Sequence, residues 1–339
     1  MITRETLPLL ANGSRLLATG ATESSYQIAY DWAMDVLSDV SVPLVAAADL
    51  PADTMCVAVS LVGSTTAMEE QLPSGDEPIR VVRALEHRLG QRVGAVVALN
   101  LAAENALLPV ITAAMAGVPL VDGDGSGRVF PLVEQTTYTL GGISATPLAF
   151  AGPGGELVLV ETDRLERLLR PVVLSVGGWG LAACYPMSAA ALASSVVPGT
   201  VGRLMRAGDP SAPRALAAPY GLSTLCRGRI VSVETSSGHG RVQSLPSSPT
   251  SIVVLESDGL RRLVRLEAHN EIVLALADGS PVAVVPDQVC MLAADGSVVD
   301  VDMAVEGQEV EVVVVTAPPA WHTERGRALG GLSAFGVEL

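Results

Sequence analysis

The sequence predicts an α/β fold: an N-terminal parallel or mixed sheet with flanking helices, followed by a β-rich C-terminal domain. Short apolar runs alternate with helical patterns in the first part of the chain. The composition changes around residues 208–213, and beyond this point strand-like alternation is separated by Asp-Gly turns. We therefore predict an α/β domain over residues 1–207 and a β-rich domain over residues 208–339 that closes over a site in the first.

Composition limits the classes of partner. The 339 residues are enough for two domains, and 49% hydrophobic with only 3% aromatic residues indicates cores of Ala, Val and Leu. A net charge of −15 argues against binding to nucleic acid or an anionic membrane. Apolar runs end well before the roughly 18 residues of a membrane span, and no signal-peptide pattern opens the chain. We expect a cytoplasmic protein with a small-molecule substrate, and homo-oligomerisation is compatible with this composition.

Cysteine and histidine provide little recognisable chemistry. The four cysteines are far apart in apolar surroundings and form no CxxC pair, which indicates buried, reduced thiols. The four histidines show neither HxH nor HExxH spacing. The sequence therefore does not indicate a histidine-based zinc site.

The elements of the first domain follow from periodicity and from helix-ending residues. Helices are predicted over residues 7–19, 26–37, 76–89, 105–116, 130–138, 164–174 and 200–206, with a small helix opening at 186–188. Strands are predicted over residues 42–48, 55–62, 93–99, 118–121, 146–150, 157–161 and 181–185. Ser74 is expected to cap the helix at 76–89, and Ser24 or Ser25 the helix at 26–37.

The second domain is predicted to consist mainly of strands. Seven runs with strand periodicity are separated by turns such as Asp258-Gly259 and Asp278-Gly279. These runs cover residues 225–233, 252–256, 260–266, 271–276, 281–285, 289–293 and 309–316. Residues 238–240 and 244–251 are expected to be loops.

One segment stands out as a candidate site: residues 121–131, which read VDGDGSGRVFP after an apolar strand. Gly123, Gly125 and Gly127 allow positive φ and close backbone approach, so the loop could turn its N–H groups toward a ligand. A tight acidic turn or a calcium-like loop is the alternative. The segment lacks the ligand spacing of an EF-hand and fits neither GxGxxG nor GxxxxGK[ST].

A second group of polar residues lies earlier in the chain, after the strand predicted at 93–99. Glu104 and Asn105 stand where that strand turns into a helix, and Asp122 and Asp124 follow the next strand. Ligands of parallel sheets gather at the carboxyl ends of strands, so these side chains are expected to converge at one edge. The alternatives are structural: Asn105 could cap its helix, Asp122 could bond to backbone, and Arg128 could pair with Asp124.

The order and spacing of several motifs resemble the S-methyl thiohydantoin desulfurase family of bacterial proteins over nearly the whole chain. The motifs are LPSGDE at 72–77, VDGDGSGRVFP at 121–131 with QTT at 135–137, YPM at 185–187, PGT at 198–200, Asn270-Glu271, Pro286-Asp287 and Phe335-Gly336. The resemblance implies an α/β domain before a β-rich domain, and hydrolysis of an S-methyl thiohydantoin to methanethiol and a hydantoin. Two departures stand out: residues 20–25 read GATESS instead of a glycine run, and His269 replaces an expected glutamine.

The resemblance implies roles for the residues of both groups. Asp122 or Asp124 could activate water, Glu104 could be a second acid or base, and Arg128 with the loop N–H groups could stabilise negative charge. Predicted substrate-binding residues are Gly123, Gly125, Ser126, Gly127, Asn105, Gln135, Asn270 and Glu271. No cofactor is predicted. A divalent metal held by Asp122, Asp124 and Glu104 with His269 or His322 is the alternative.

Two further functions are compatible with the sequence. The altered segment at 20–25 suits a divergent biosynthetic enzyme that performs cyclisation, isomerisation or carbon–sulfur bond chemistry on the same scaffold. The scarcity of histidine and cysteine motifs suits a binding subunit without catalysis.

Overall fold

The computed structural model describes residues 1–15, 23–213, 216, 218–235, 250–269 and 271–337. The chain forms two compact units. The first contains Met1–Ser14, Ala21–Gly127 and Thr136–Ala212; the second contains Arg15–Gly20, Arg128–Gln135 and Pro213–Leu339. The chain thus passes from one unit to the other between Gly127 and Arg128, inside the glycine-rich segment.

The first unit is built on a mixed sheet with flanking helices, which confirms the predicted fold class. Its helices are α1 (Leu7–Arg15), α2 (Glu23–Val36), α3 (Thr65–Glu70), α4 (Glu77–Leu89), α5 (Glu104–Ala116), α6 (Thr137–Leu140), α7 (Leu165–Ser175), α8 (Ala189–Ser195) and α9 (Thr200–Ala207). Its strands are β1 (Leu44–Val45), β2 (Met55–Gly63), β3 (Ala95–Ala98), β4 (Leu120–Asp124), β5 (Leu148–Ala151), β6 (Leu157–Val160), β7 (Trp179–Ser188) and β8 (Val197–Pro198).

The strand order is β1-β4-β3-β2-β7-β5-β6, and β8 pairs with β4. Strands β1, β4, β3 and β2 run parallel, whereas β7, β5 and β6 join by antiparallel pairing. Every residue of β3 is buried, as expected for a parallel strand covered on both faces. Helix α5 is also buried over most of its length, and the left-handed Gly117 ends it as predicted.

The second unit is a β-barrel, which confirms the predicted β-rich domain. Its strands are β9 (Leu222–Thr235), β10 (Thr250–Glu256), β11 (Leu263–His269), β12 (Glu271–Ala277), β13 (Ser280–Leu292), β14 (Val298–Val299) and β15 (Glu309–Val315), and α10 (Glu324–Gly330) follows. The order is β12-β11-β10-β9-β15-β13-β14, and β12 also pairs with β13, which closes the barrel. Burial alternates along β10, so Ile252 and Val254 face a core that also contains Val264, Leu266 and Val312.

The predicted helix at 130–138 is wrong. Only residues 137–140 are helical, and residues 131–134 form turns and bends. The Gln135 side chain accepts a hydrogen bond from the Leu132 N–H at 3.1 Å and donates one to the Leu329 carbonyl at 3.1 Å. The bond to Leu329 holds Gln135 against a distant segment, and Thr136 then caps the short α6.

Other differences concern element ends. The runs predicted at 281–285 and 289–293 form one strand, β13, which continues through Pro286 and ends at Leu292. Strand β7 runs to Ser188, whose hydroxyl caps α8, so the predicted small helix begins later. Ser74 does not cap α4; instead its N–H and hydroxyl both donate to the Glu77 carboxylate at 2.7 and 2.9 Å.

Some predictions lie partly or wholly outside the described residues. Helix α1 is described to Arg15, so the predicted continuation to residue 19 is outside. Of the predicted loop at 20–25, only residues 23–25 are described, and they begin α2. The predicted loops at 238–240 and 244–249 are also outside, whereas residues 250 and 251 belong to β10. In the described parts of the chain, no helix has the length and apolar character needed to cross a membrane.

Candidate functional site

Strand β4 is irregular where the glycine-rich segment begins. Leu120 faces Val96 of β3 but Asp124 faces Ala98, so three residues of β4 stand opposite one of β3. The extra residues bulge, and Gly123 and Asp124 pair with β8 on the other side. A bulge redirects the side chains that follow it, and here it sets the directions of both aspartates.

Asp122 anchors a helix. Its carboxylate accepts a hydrogen bond from the Gly202 N–H at 2.9 Å, and its backbone carbonyl accepts one from Gly199 at 2.8 Å. Both donors lie at the N-terminal end of α9, where a carboxylate is favourable. The structural alternative considered for Asp122 is therefore present, in the form of an anchor between β4 and α9.

Asp124 is enclosed by its own loop. It is 2% exposed, and its Oδ1 accepts hydrogen bonds from the N–H groups of Ser126 at 2.6 Å and Gly127 at 2.5 Å. Burial raises the pKa of Asp124 to about 6, although these N–H donors oppose the rise. The Thr200 hydroxyl also lowers this pKa, but its approach lacks the geometry of a regular hydrogen bond.

The glycines act mainly through close packing. In the 121–131 segment only Gly127 has positive φ, at 66°. A Cβ on Gly125 would lie 2.6 Å from Tyr138 Cε2 and 2.9 Å from the Leu99 carbonyl oxygen, and one on Gly123 would lie 2.5 Å from Val196 Cγ2. The close approach at Gly123 and Gly125 is thus to atoms of the protein itself, and neither residue uses the positive φ that glycine allows.

Residues of α6 stabilise this loop and the strand beside it through hydrogen bonds. The Thr137 N–H and hydroxyl both donate to the Gly125 carbonyl, at 2.6 and 3.0 Å. The Tyr138 hydroxyl donates to the Ala98 carbonyl at 3.0 Å, and its ring packs edge-on against Tyr185 at 5.3 Å. Tyr185 itself has a φ of 50°, unusual for a bulky residue. Sequence patterns did not assign these residues a role, and Tyr185 was visible only within the YPM motif.

Glu104 forms a separate buried cluster. It begins α5, is 3% exposed, and accepts a hydrogen bond from the Ser25 hydroxyl of α2. Burial raises the pKa of Glu104 and the nearby Glu69 adds to the rise, whereas the Ser25 hydrogen bond opposes it. The predicted cap by Ser24 or Ser25 is wrong because α2 begins at Glu23 and both serines lie inside the helix. Neither this pairing nor the proximity of Glu69 was foreseen from the sequence.

The residues on either side of Glu104 fix the position of its backbone. Ala103, directly before it, has φ 45° and ψ −116°, a conformation that costs an alanine free energy. Asn105, directly after it, accepts hydrogen bonds from the Leu61 N–H at 2.7 Å and the Ser60 hydroxyl at 3.0 Å. Asn105 therefore ties α5 to the end of β2 and does not cap its own helix.

The two carboxyl clusters lie after the carboxyl ends of adjacent parallel strands, since β3 pairs with β4. Asp124 ends β4, and Glu104 follows β3 by a short loop. The two clusters have different neighbours. Ser126, Gly127 and Thr137 form the hydrogen bonds of the β4 loop, whereas Ser25 and Glu69 lie near Glu104. This is the edge where the sequence placed its candidate acids and bases.

In the second unit, Arg128 forms a buried ion pair with Glu271 and also donates to the Pro286 carbonyl. Its Nε donates to the Val129 carbonyl at 2.9 Å, and its guanidinium lies 4.0 Å from the centre of the Phe130 ring. Burial lowers the pKa of Arg128 to about 9. The alternative that Arg128 pairs with Asp124 is wrong, because its carboxylate partner is Glu271.

The other predicted residues are placed as follows. Gln135 bonds within the second unit, to Leu132 and Leu329. Asn270 lies outside the described residues. His322 Nε2 lies 3.2 Å from Asp287 Oδ1. Among the residues that the structure describes, no three or more His, Cys, Asp and Glu side chains are grouped as a metal site would require.

Comparison with known proteins establishes the relationship that the motifs indicated. No curated protein matched the chain. A crystal structure of a protein from Chromobacterium violaceum, a Northeast Structural Genomics Consortium target, matches over 99% of this chain and 95% of that chain, with a TM-score of 0.75. The two sequences are 22% identical, so this match shows a shared fold alone.

Two family models match consecutive parts of the sequence. The one described as "S-Me-THD-like, N-terminal domain" covers residues 5–162, and the one described as "S-Me-THD-like, C-terminal domain" covers residues 160–339. Together they span almost the entire chain, in the same order as the elements described above. The protein therefore belongs to the S-Me-THD-like family, the S-methyl thiohydantoin desulfurase family whose motifs its sequence carries.

Proposed function

We propose that this protein hydrolyses a small cyclic S-methyl thiohydantoin and releases methanethiol and a hydantoin. Family membership supports the substrate class. The observation that carries the proposal is a pair of buried carboxyl groups, Asp124 and Glu104, whose pKa values are both raised by burial. They follow adjacent parallel strands at the edge where such sheets bind ligands.

In this proposal Asp124 is the base and Glu104 the acid. Ionised Asp124 takes a proton from water, and the water oxygen attacks the ring carbon that carries the sulfur, while the electron pair of the carbon–nitrogen double bond moves to nitrogen. Protonated Asp124 passes this proton to the ring nitrogen and is ionised again, the carbon–sulfur bond then breaks, and protonated Glu104 supplies the proton for the leaving thiolate. The remaining hydroxyl proton of the adduct restores Glu104 as the carbonyl forms. One water is consumed, and its two protons end on the ring nitrogen and on methanethiol.

The remaining predicted site residues divide by unit. Asn105 and Ser126 flank the two carboxyl groups in the sequence, and their proposed contribution is to orient the ring. Gln135, Asn270, Glu271 and Arg128 belong to the second unit, where their roles toward substrate stay predictions. No cofactor takes part in the proposed reaction.

Turnover of an S-methyl thiohydantoin by purified protein tests the proposal, with methanethiol measured by a thiol reagent. Asp124→Asn and Glu104→Gln keep size and hydrogen-bonding capacity, and each is expected to lower kcat/KM by about 10²- to 10⁴-fold. Asp122→Asn is the matched control because Asp122 anchors α9; its kcat/KM is expected to stay near that of the wild type. Absence of methanethiol from the wild type, or full turnover by Asp124→Asn, would contradict the proposal.

The pH dependence provides a second test. The base must be ionised, so kcat/KM is expected to rise with pH through about 6, the pKa of Asp124. The acid must be protonated, so ionisation of Glu104, whose pKa burial also raises, is expected to add a limb that falls with rising pH. A profile that lacks the rise near pH 6 would remove Asp124 from the role of base.

A divergent biosynthetic reaction is the second candidate, and one departure in the sequence favours it. The segment at 20–25 lacks the glycine run expected of the family, and Ser25 from this segment donates to Glu104. If the protein binds S-methyl thiohydantoins and converts them without releasing methanethiol, this candidate replaces the first.

A further inference from the structure

Ser25 makes the one direct side-chain hydrogen bond to the Glu104 carboxylate that is resolved in the described residues. Both groups lie in the first turns of two helices of the first unit, α2 and α5, which pack against each other. Ser25 is fully buried and Glu104 nearly so. A buried hydroxyl on a buried carboxylate has no competing water, so this contact strongly affects the direction of the carboxylate and its charge.

Besides Ser25, the backbone N–H of Glu104 itself donates to the carboxylate and also lowers its pKa. Ala103 and Asn105 fix the backbone on either side, through an unusual φ and through hydrogen bonds to β2. Glu69, from α3, carries a negative charge nearby and disfavours ionisation of Glu104, as burial does. Ser25 acts in the opposite direction, because a donated hydrogen bond stabilises the ionised carboxylate.

We infer that Ser25 is a positioning residue for Glu104, which holds the carboxyl group in one orientation and sets the pH range in which it donates a proton. This inference rests on the proposed function, in which Glu104 is the acid.

The test compares Ser25→Ala with Ser24→Ala, a neighbouring and exposed serine of the same helix. Without the hydroxyl, the high-pH limb of the kcat/KM profile is expected to move upward by about one pH unit. Ser24→Ala should retain the wild-type profile, and Ser25→Thr, which restores a hydroxyl, should bring the limb back. Ser25→Cys, a weak donor of similar size, replaces Ser25→Ala if that variant does not fold. An unmoved limb in the variant without the hydroxyl would overturn the inference.

A measurement without turnover separates this inference from the proposed function. The carboxyl resonance of Glu104, assigned through Glu104→Gln in carbon-13 labelled full-length protein, reports its titration directly. The resonance is expected to titrate at higher pH in Ser25→Ala than in the wild type. An identical titration overturns the role of Ser25, whereas absence of methanethiol release contradicts the proposed function.

Discussion

At the scale of single residues, the glycine-rich segment is organised around a buried carboxylate. The N–H groups of Ser126 and Gly127 turn toward Asp124, so the loop already contains the anion that its donors could bind. These two donors do not fully compensate the loss of water around the charge, and the pKa of Asp124 stays raised. Asp124 therefore has an ordered position, and it stays protonated to a higher pH than an exposed aspartate does.

This raised pKa predicts how stability depends on pH. Because the pKa rises from 3.8 to about 6, the folded protein binds this proton more tightly than the unfolded chain does. The resulting stabilisation is fully present below about pH 3.8 and is lost as pH rises through about 6; it amounts to about 3 kcal/mol. Asp124→Asn removes this titration, so the free energy of unfolding of the variant relative to the wild type should increase between pH 4 and 7. Urea denaturation across this range measures the change, and a constant difference would contradict the assignment.

At the scale of elements, short polar contacts fix where strands end and helices begin. Asn105 connects α5 to the end of β2 through two hydrogen bonds. Arg128 similarly connects the segment 128–135 to β12 and β13 within the second unit, through Glu271 and Pro286. The first contact joins a helix to the end of a strand and is partly buried, whereas the second joins a loop to two strands and is buried.

Asn105→Ala is expected to destabilise the protein by about 1–3 kcal/mol, because the Leu61 N–H then loses its acceptor. Asn105→Asp keeps an acceptor oxygen at the same place and should lose less. Thermal or urea unfolding of both variants at neutral pH makes the comparison. Equal losses would show that the hydrogen bonds to β2 contribute little.

Arg128→Ala is expected to cost about 3–5 kcal/mol, because it leaves the Glu271 carboxylate buried without its cation. The double variant Arg128→Met/Glu271→Leu removes both charges and should recover much of this loss. The free energies of unfolding of Arg128→Met, Glu271→Leu and the double variant, each relative to the wild type, form a thermodynamic cycle. Additive losses would contradict a coupled buried pair.

At the scale of the whole molecule, the sequence predicted the classes of structure well and the contacts of individual residues poorly. Buried parallel strands and alternating barrel strands leave clear patterns, so the mixed sheet and the β-rich unit were recognisable. The helix at 130–138 was wrong because a contact between Gln135 and the distant Leu329 carbonyl overrides local propensity. The pairing of Ser25 with Glu104, and of Arg128 with Glu271, joins residues distant in the chain, and no local pattern signals such contacts.

The arrangement of the sheet predicts how the protein tolerates truncation. A protein that ends at residue 162, where the first family match ends, lacks β7, the strand between β2 and β5. The β5–β6 hairpin then has no neighbour in the sheet, so we expect no cooperative unfolding transition in circular dichroism. A protein that ends at residue 212 keeps β7 and should retain more native strand structure. A cooperative transition for the shorter protein would contradict this expectation.

The passage of the chain between units inside the glycine-rich segment also affects how members of this family can be recombined. A chimera that takes only residues 213–339 from a relative would keep the host Arg128 but import a foreign counterpart of Glu271 and Pro286. A functional exchange of the second unit must therefore include residues 128–135 as a separate insert. We therefore expect residues 128–135 to be inherited together with the second unit, although in the chain they lie between two parts of the first unit.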